Sequence, residues 1–77
     1  MTIGDEIRLR RTALGMAQYD LADALIVCPS TIYKWETGKS KPSFRKVLAL
    51  AKIFGVSEQE LLNPTPGEEN EDSKNVP

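Results

Sequence analysis

Histidine is absent from these 77 residues, and Cys28 is the only cysteine. With one Cys and no His, a zinc site of the usual Cys/His type has no ligands. The same absence removes the Ser-His-Asp triad and the Cys-His pair. An intrachain disulfide is excluded too, and with it a disulfide-stapled scaffold. Aromatic residues are few, at 6%, which leaves RNA binding on a stacking platform as a weak third option. No apolar run approaches the ~18 residues that would span a membrane. The start, MTIGDEIRLR, carries charges where a signal peptide needs its apolar stretch. Cytoplasmic location, no cofactor and no enzymatic activity are the expectations.

What is present fits one small domain. A chain of this length buries only roughly 60% of its unfolded surface, so its core is marginal. The net charge of −1 conceals a polarity. Glu68, Glu69, Glu71 and Asp72 lie at the end of the chain with one base, Lys74; without residues 63–77 the body carries nine bases and seven acids. Between Pro29 and Lys46 there are five bases (Lys34, Lys39, Lys41, Arg45, Lys46) and one acid, Glu36. Only local charge meets a phosphate within a Debye length of ~8 Å, so this stretch points to nucleic acid although the global balance does not.

Periodicity and punctuation predict five helices and no strands. Thr2 and Asp5 form a capping box at the start of the first, which runs to Leu14 with Ile3, Ile7 and Leu14 inward and stops at Gly15. Gln18 to Leu25 is a short second helix, burying Leu21, Ala22 and Leu25. Pro29 suits the first position of a third, because its missing N–H would have had no partner there. Cys28 is then a poor N-cap, Ile32 and Trp35 or Glu36 turn inward, and Gly38 ends the helix. Ser43 caps a fourth reaching Phe54, with Val47, Leu50, Ala51 and Phe54 on one face. Ser57 and Glu60 form a second capping box, with Val56 and Leu61 as its hydrophobic staple, for a fifth helix through Leu62. The domain therefore covers residues 1–62. The segment 63–77 has two early prolines, an acidic cluster and almost nothing apolar, and is expected to be a disordered acidic tail.

The second and third helices are joined by about three residues and are expected to cross steeply rather than pack antiparallel. That is the helix-turn-helix, whose second helix enters the major groove of DNA. Ala22 is small where the third helix would cross the second. Ser30, Tyr33 and Lys34 face outward with nothing in the chain to bury them.

The combination Gln18-Leu21-Ala22, Ser30-Thr31-Ile32, Trp35-Glu36-Thr37-Gly38-Lys39 and Pro42-Ser43 resembles the helix-turn-helix domain of the lambdoid phage repressors and Cro proteins, the Xre family. The resemblance covers roughly Ile3 to Leu62. It implies an all-α, five-helix lambda-repressor-like domain that binds double-stranded operator DNA, usually as a homodimer, and no membrane. It implies further that Pro29, Ser30, Tyr33 and Lys34 meet base edges. Gln18, Lys39, Lys41 and Arg45 would meet phosphates, and Arg11 and Glu36 would form a structural ion pair.

Four positions depart from the family pattern. Ile26 stands where the turn usually has Gly, so either the turn takes another path or Ile26 is buried enough to offset the strain. Ala17 and Cys28 stand where Ser or Thr would cap. Pro29 stands where Gln or Arg is frequent, which shifts base reading onto Ser30, Tyr33 and Lys34. The expected function is a sequence-specific regulator of transcription, a repressor on a palindromic operator, either stand-alone and Cro-like or part of a longer chain. An antitoxin or restriction-controller type of autoregulator on the same fold is the alternative, as is a protein-interaction module that has lost DNA binding.

Overall fold

The computed structural model describes residues 2–63, and all but the first residue of the acidic tail expected over residues 63–77 lies outside them. Five helices follow one another: α1 Ile3–Ala13, α2 Gln18–Leu25, α3 Pro29–Thr37, α4 Phe44–Phe54 and α5 Glu58–Leu62. No strand occurs among the described residues. Asn63, assigned by composition to the tail, still belongs to α5's end, its Nδ2 donating to Gln59 Oε1 at 2.9 Å.

Local side-chain hydrogen bonds start four of the helices, α1, α2, α4 and α5, whereas α3 begins on Pro29 behind Cys28 with no side-chain cap. The Thr2 N–H donates to Asp5 Oδ2 and the Asp5 N–H donates to Thr2 Oγ1, both at 3.1 Å. The Thr2 N–H first, then its hydroxyl, hold the Asp5 carboxyl below its usual value. The box therefore holds above the ordinary carboxylate range and loosens as pH falls through that lowered value. At α2 the Ala17 N–H donates to Asp20 Oδ2 at 2.8 Å, while Ala17 has no side-chain oxygen to return the bond. Ser43 Oγ accepts from the Lys46 N–H at the start of α4. At α5, Glu60 Oε2 accepts from the Ser57 N–H at 3.4 Å.

The ends of α1, α2, α3 and α4 share one device. Gly15, Gly38 and Gly55 each take a left-handed conformation, and so does Ile26. In every case the N–H of the following residue reaches back five positions: Met16 to the Arg11 carbonyl, Val27 to Ala22, Lys39 to Lys34 and Val56 to Ala51, at 2.9–3.1 Å. These are Schellman motifs, in which the residue after the left-handed one normally packs its side chain on the helix it has left. Met16, Val27 and Val56 do pack against the core. Lys39 is exposed.

Ile26 answers to neither expectation. Its φ and ψ are 58° and 50°, and it is 89% exposed. The turn keeps the path that glycine would take, and the apolar gain comes from Val27 instead. A non-glycine residue in this region costs roughly 1–2 kcal/mol. Replacement by glycine removes that strain but adds freedom to the unfolded chain. Ile26→Gly is therefore expected to stabilise the domain by about 1 kcal/mol, a rise in melting temperature of roughly 4–8 °C. Thermal unfolding followed by circular dichroism checks this, and a fall would show that the Ile26 side chain supports the turn.

Ile7, Leu21, Ala22, Leu25, Ile32, Trp35, Val47, Leu50, Ala51 and Leu61 form the core. Each large aliphatic among them contributes about 1.5–3 kcal/mol by leaving water. Leu14 is not among them. It is 54% exposed, because α1 ends at Ala13 and the chain leaves the helix face one residue too soon. Ile53 and Val56 are partly taken up by the core, whereas Leu9 and Leu62 stay exposed. Lys46 points inward and its Nζ donates to the Leu25 carbonyl at 2.9 Å. A cation thus caps the C-terminus of α2, where orphan carbonyls and the helix dipole favour positive charge.

Candidate nucleic-acid interface

Helix α3 is held from behind on two levels. Ile32 and Trp35 enter the core. Gly4 of α1 lies directly on the backbone of α3: a Cβ there would collide with the Trp35 carbonyl oxygen and come within 3.1 Å of that of Glu36. Nothing in the sequence pattern marks that glycine as a contact point.

A polar network then fixes α3 to both neighbours. Arg11 Nε lies 2.6 Å from Glu36 Oε2, and Arg11 Nη2 donates to Glu36 Oε1 at 3.1 Å, a bidentate pair. The Arg11 and Glu36 side chains are only 10% and 4% exposed. Arg11 Nη1 donates to the Met16 carbonyl at 2.7 Å, and Gln18 Nε2 donates to Glu36 Oε1 at 3.1 Å. One carboxylate therefore joins the end of α1, the first residue of α2 and the last turn of α3. Gln18, expected at a phosphate, is half-buried in this network with its amide oriented by Glu36.

The front of α3 is open. Pro29, Ser30, Tyr33 and Lys34 are all exposed. Their spacing, two adjacent pairs four residues apart, places them in one stripe opposite Ile32 and Trp35. Lys39, Lys41 and Arg45 are exposed as well, on the connection to α4 and in its first turn. Lys46, counted among the bases of this stretch, is turned onto Leu25 instead. Pro29 also borders an open depression of about 300 Å³ whose other walls are Tyr19, Asp20, Ala22, Asp23 and Val27. Its two carboxylates make that flank of α3 negative, while the flank toward Lys39 is positive.

Two features escape the sequence pattern. Lys39 Nζ stands 5.8 Å from the centroid of the Tyr33 ring. Arg10 bridges Glu6 on α1, at 2.7 Å, and Glu60 on α5, at 3.4 Å. The first was detectable only through the Gly38 turn that folds Lys39 back over α3. The second is an i,i+4 pair with a long-range partner that spacing alone does not disclose.

Among the described residues no group of His, Cys, Asp or Glu gathers in a metal-binding cluster, and no helix is long and apolar enough to cross a membrane. A short helix crossing a second one, held from behind by packing and ions, with a polar stripe and flanking bases in front, defines a helix-turn-helix.

Comparison with known proteins agrees. A family model described as "Helix-turn-helix" matches residues 7–61. The HTH-type transcriptional regulator DicA of Escherichia coli (strain K12) is 36% identical over 72 residues, which take in 86% of this chain and 53% of DicA. The HTH-type transcriptional activator BcrR of Enterococcus faecalis is 35% identical over 63 residues, 82% of this chain and 31% of BcrR. The chain spans about half of DicA and less of BcrR. Among solved structures, the P22 c2 repressor in complex with synthetic operator 9T aligns with a TM-score of 0.79 at 31% identity, covering 84% of this chain and 98% of that one. The restriction-modification controller protein C.AhdI of Aeromonas hydrophila aligns with a TM-score of 0.71 at 30% identity, covering 78% and 91%. The chain belongs to the Cro/C1-type helix-turn-helix family of DNA-binding transcription regulators.

Proposed function

We propose that this chain regulates transcription by laying α3 in the major groove of a palindromic operator, as a cytoplasmic repressor that acts as a homodimer on DNA. The exposed stripe of α3, with bases on the flank after Gly38, carries this reading. Ser30 and Lys34 face base edges, with Pro29 and Tyr33 beside them on the same exposed stripe. Gln18, Lys39, Lys41 and Arg45 face phosphates. The Arg11–Glu36 pair has the supporting role of holding α3 at its angle. The P22 c2 repressor, described on a synthetic operator, is a structural relative that supports the assignment. Residues 1–62 are the binding unit. One recognition helix touches few base pairs, and so short a site is too frequent in a genome to be selective, which argues for two copies about 34 Å apart.

The likeness to C.AhdI favours a second reading, an autoregulator of the restriction-controller type. Operator position tests this second reading: an autoregulator has its operator upstream of its own gene.

Selection from a random duplex library tests the main reading, and a palindromic consensus is the expected result. On that site, affinity is expected to fall at least tenfold when salt rises fourfold, since each phosphate contact contributes a log–log slope of roughly −0.9. Lys34→Ala and Ser30→Ala are expected to relax preference at defined base pairs, where a good contact discriminates by ~1–3 kcal/mol. Lys41→Ala should weaken all sequences alike, because phosphate contacts position the protein without reading sequence. A flat salt response from a folded chain would defeat the proposal.

A further inference from the structure

Lys39 occupies the position that three other helix-ending turns of this domain give to an apolar side chain. Met16, Val27 and Val56 fold onto the core there. Lys39 has the same backbone restraint, its N–H donating to the Lys34 carbonyl at 2.9 Å, with the Ser40 N–H donating to the same oxygen at 3.3 Å. Its side chain runs back along α3 instead, and Nζ stands over the face of Tyr33. The carbonyl of Tyr33 is itself fixed, accepting from Thr37 Oγ1 at 2.9 Å.

We propose that Tyr33 is a positioning residue: its ring holds the Lys39 ammonium ready for a phosphate of the DNA backbone, and Tyr33 does not itself read a base. The proposal rests on the DNA-binding reading above and deepens it. An exposed lysine ordinarily loses rotamer freedom when it grips a phosphate. Here both ends of the residue are restrained beforehand, the backbone by the turn and the ammonium by the ring. The type of restraint matters. A carboxylate would hold the ammonium as well but would cancel the charge that a phosphate needs. An aromatic face attracts the cation through its quadrupole and leaves the charge intact. The nearest acid on α3, Glu36, is already occupied by Arg11 and Gln18. The attraction belongs to the ring and not to the hydroxyl, so phenylalanine should serve in place of tyrosine and leucine should not.

The experiment measures the full chain and its variants on a non-specific duplex and on the selected operator, across a salt series. Lys39→Met is expected to reduce the log–log salt slope by about 0.9, the value of one phosphate contact. Tyr33→Leu is expected to weaken both duplexes by the same factor, about two- to fivefold. Tyr33→Phe should restore binding, and Tyr33→Leu added to Lys39→Met should change nothing more. An independent readout needs no DNA: the Lys39 side-chain protons should be shifted upfield by the Tyr33 ring current, in the wild type and Tyr33→Phe but not in Tyr33→Leu. The proposal is overturned if Tyr33→Phe falls with Tyr33→Leu, if Tyr33→Leu alters preference among operator base pairs, or if the two losses simply add. A wild type that binds with a normal salt slope while the variants behave that way defeats this role alone. A wild type that does not bind duplexes defeats the DNA-binding reading, and this role with it.

Discussion

Glu36→Ala should remove about 3–5 kcal/mol of stability, the range for leaving one member of a buried ion pair without its partner. A domain of about 62 residues has only roughly 3–9 kcal/mol in total. The variant is therefore expected to unfold near or little above room temperature. The argument depends on burial. With the Glu36 side chain 4% exposed and Arg11 10%, water cannot replace what is lost. Deleting Glu36 leaves the Arg11 guanidinium with one carbonyl, that of Met16, and Gln18 with no partner for its amide. Arg11→Met alone should be nearly as costly, because the carboxylate is then left buried with only Gln18. The double variant Arg11→Met/Glu36→Leu should be more stable than either single one, since apolar residues of similar volume often replace a buried pair without loss. Urea unfolding of the wild type, Arg11→Met, Glu36→Leu and the double variant gives the coupling energy directly. Single substitutions that each remove under about 1 kcal/mol would place the pair with exposed salt bridges, which contribute little.

The parts of this fold that the sequence discloses are those decided within a few residues. Thr2 with Asp5, Ser43, and the glycines at 15, 38 and 55 announce helix ends through hydrogen bonds that span three to five positions, and the helices begin and end within a residue of expectation. The core positions of α2, α3 and α4 follow from period alone. Leu14 fails because a single residue at a helix end decides which way a side chain points. Ile26 fails for a different reason: the reward for the left-handed turn lies on Val27, so the strained residue and the residue that benefits are not the same. The contacts that set α3 against its neighbours are tertiary and leave no local mark. Lys46 reaches the Leu25 carbonyl across 21 positions, and Gln18 reaches Glu36 across 18. That Pro29, Ser30, Tyr33 and Lys34 form one exposed stripe was legible because their spacing sets them opposite Ile32 and Trp35. That Tyr33 and Lys39 face each other was not, since a turn of left-handed backbone intervenes.

Gly4→Ala should destabilise the domain although alanine is the better helix former. In an exposed helix interior the exchange would gain about 0.8–1 kcal/mol. Gly4 is buried, and the added Cβ would overlap the Trp35 carbonyl oxygen and press on the Glu36 backbone at 3.1–3.2 Å. Both neighbours are main-chain atoms of α3, whose side chains at 32 and 35 are anchored in the core, so neither side yields by a rotamer change. Overpacking of a rigid site costs typically 1–3 kcal/mol and occasionally more. Relief requires α1 to move away from α3, and that movement also stretches the Arg11–Glu36 pair, which joins the same two helices. The net expectation is a loss of about 2 kcal/mol or more, the clash at the upper end of its range outweighing the propensity gain. Gly4→Val should lose more, since it adds further bulk at the same contact. DNA affinity offers a second readout. A folded Gly4→Ala protein with α1 displaced should bind its operator more weakly while its salt slope is unchanged, because the phosphate contacts remain and only the seating of α3 has altered. If Gly4→Ala melts higher than the wild type, α1 and α3 do not meet backbone to backbone in solution, and the account of how α3 is held from behind fails with it.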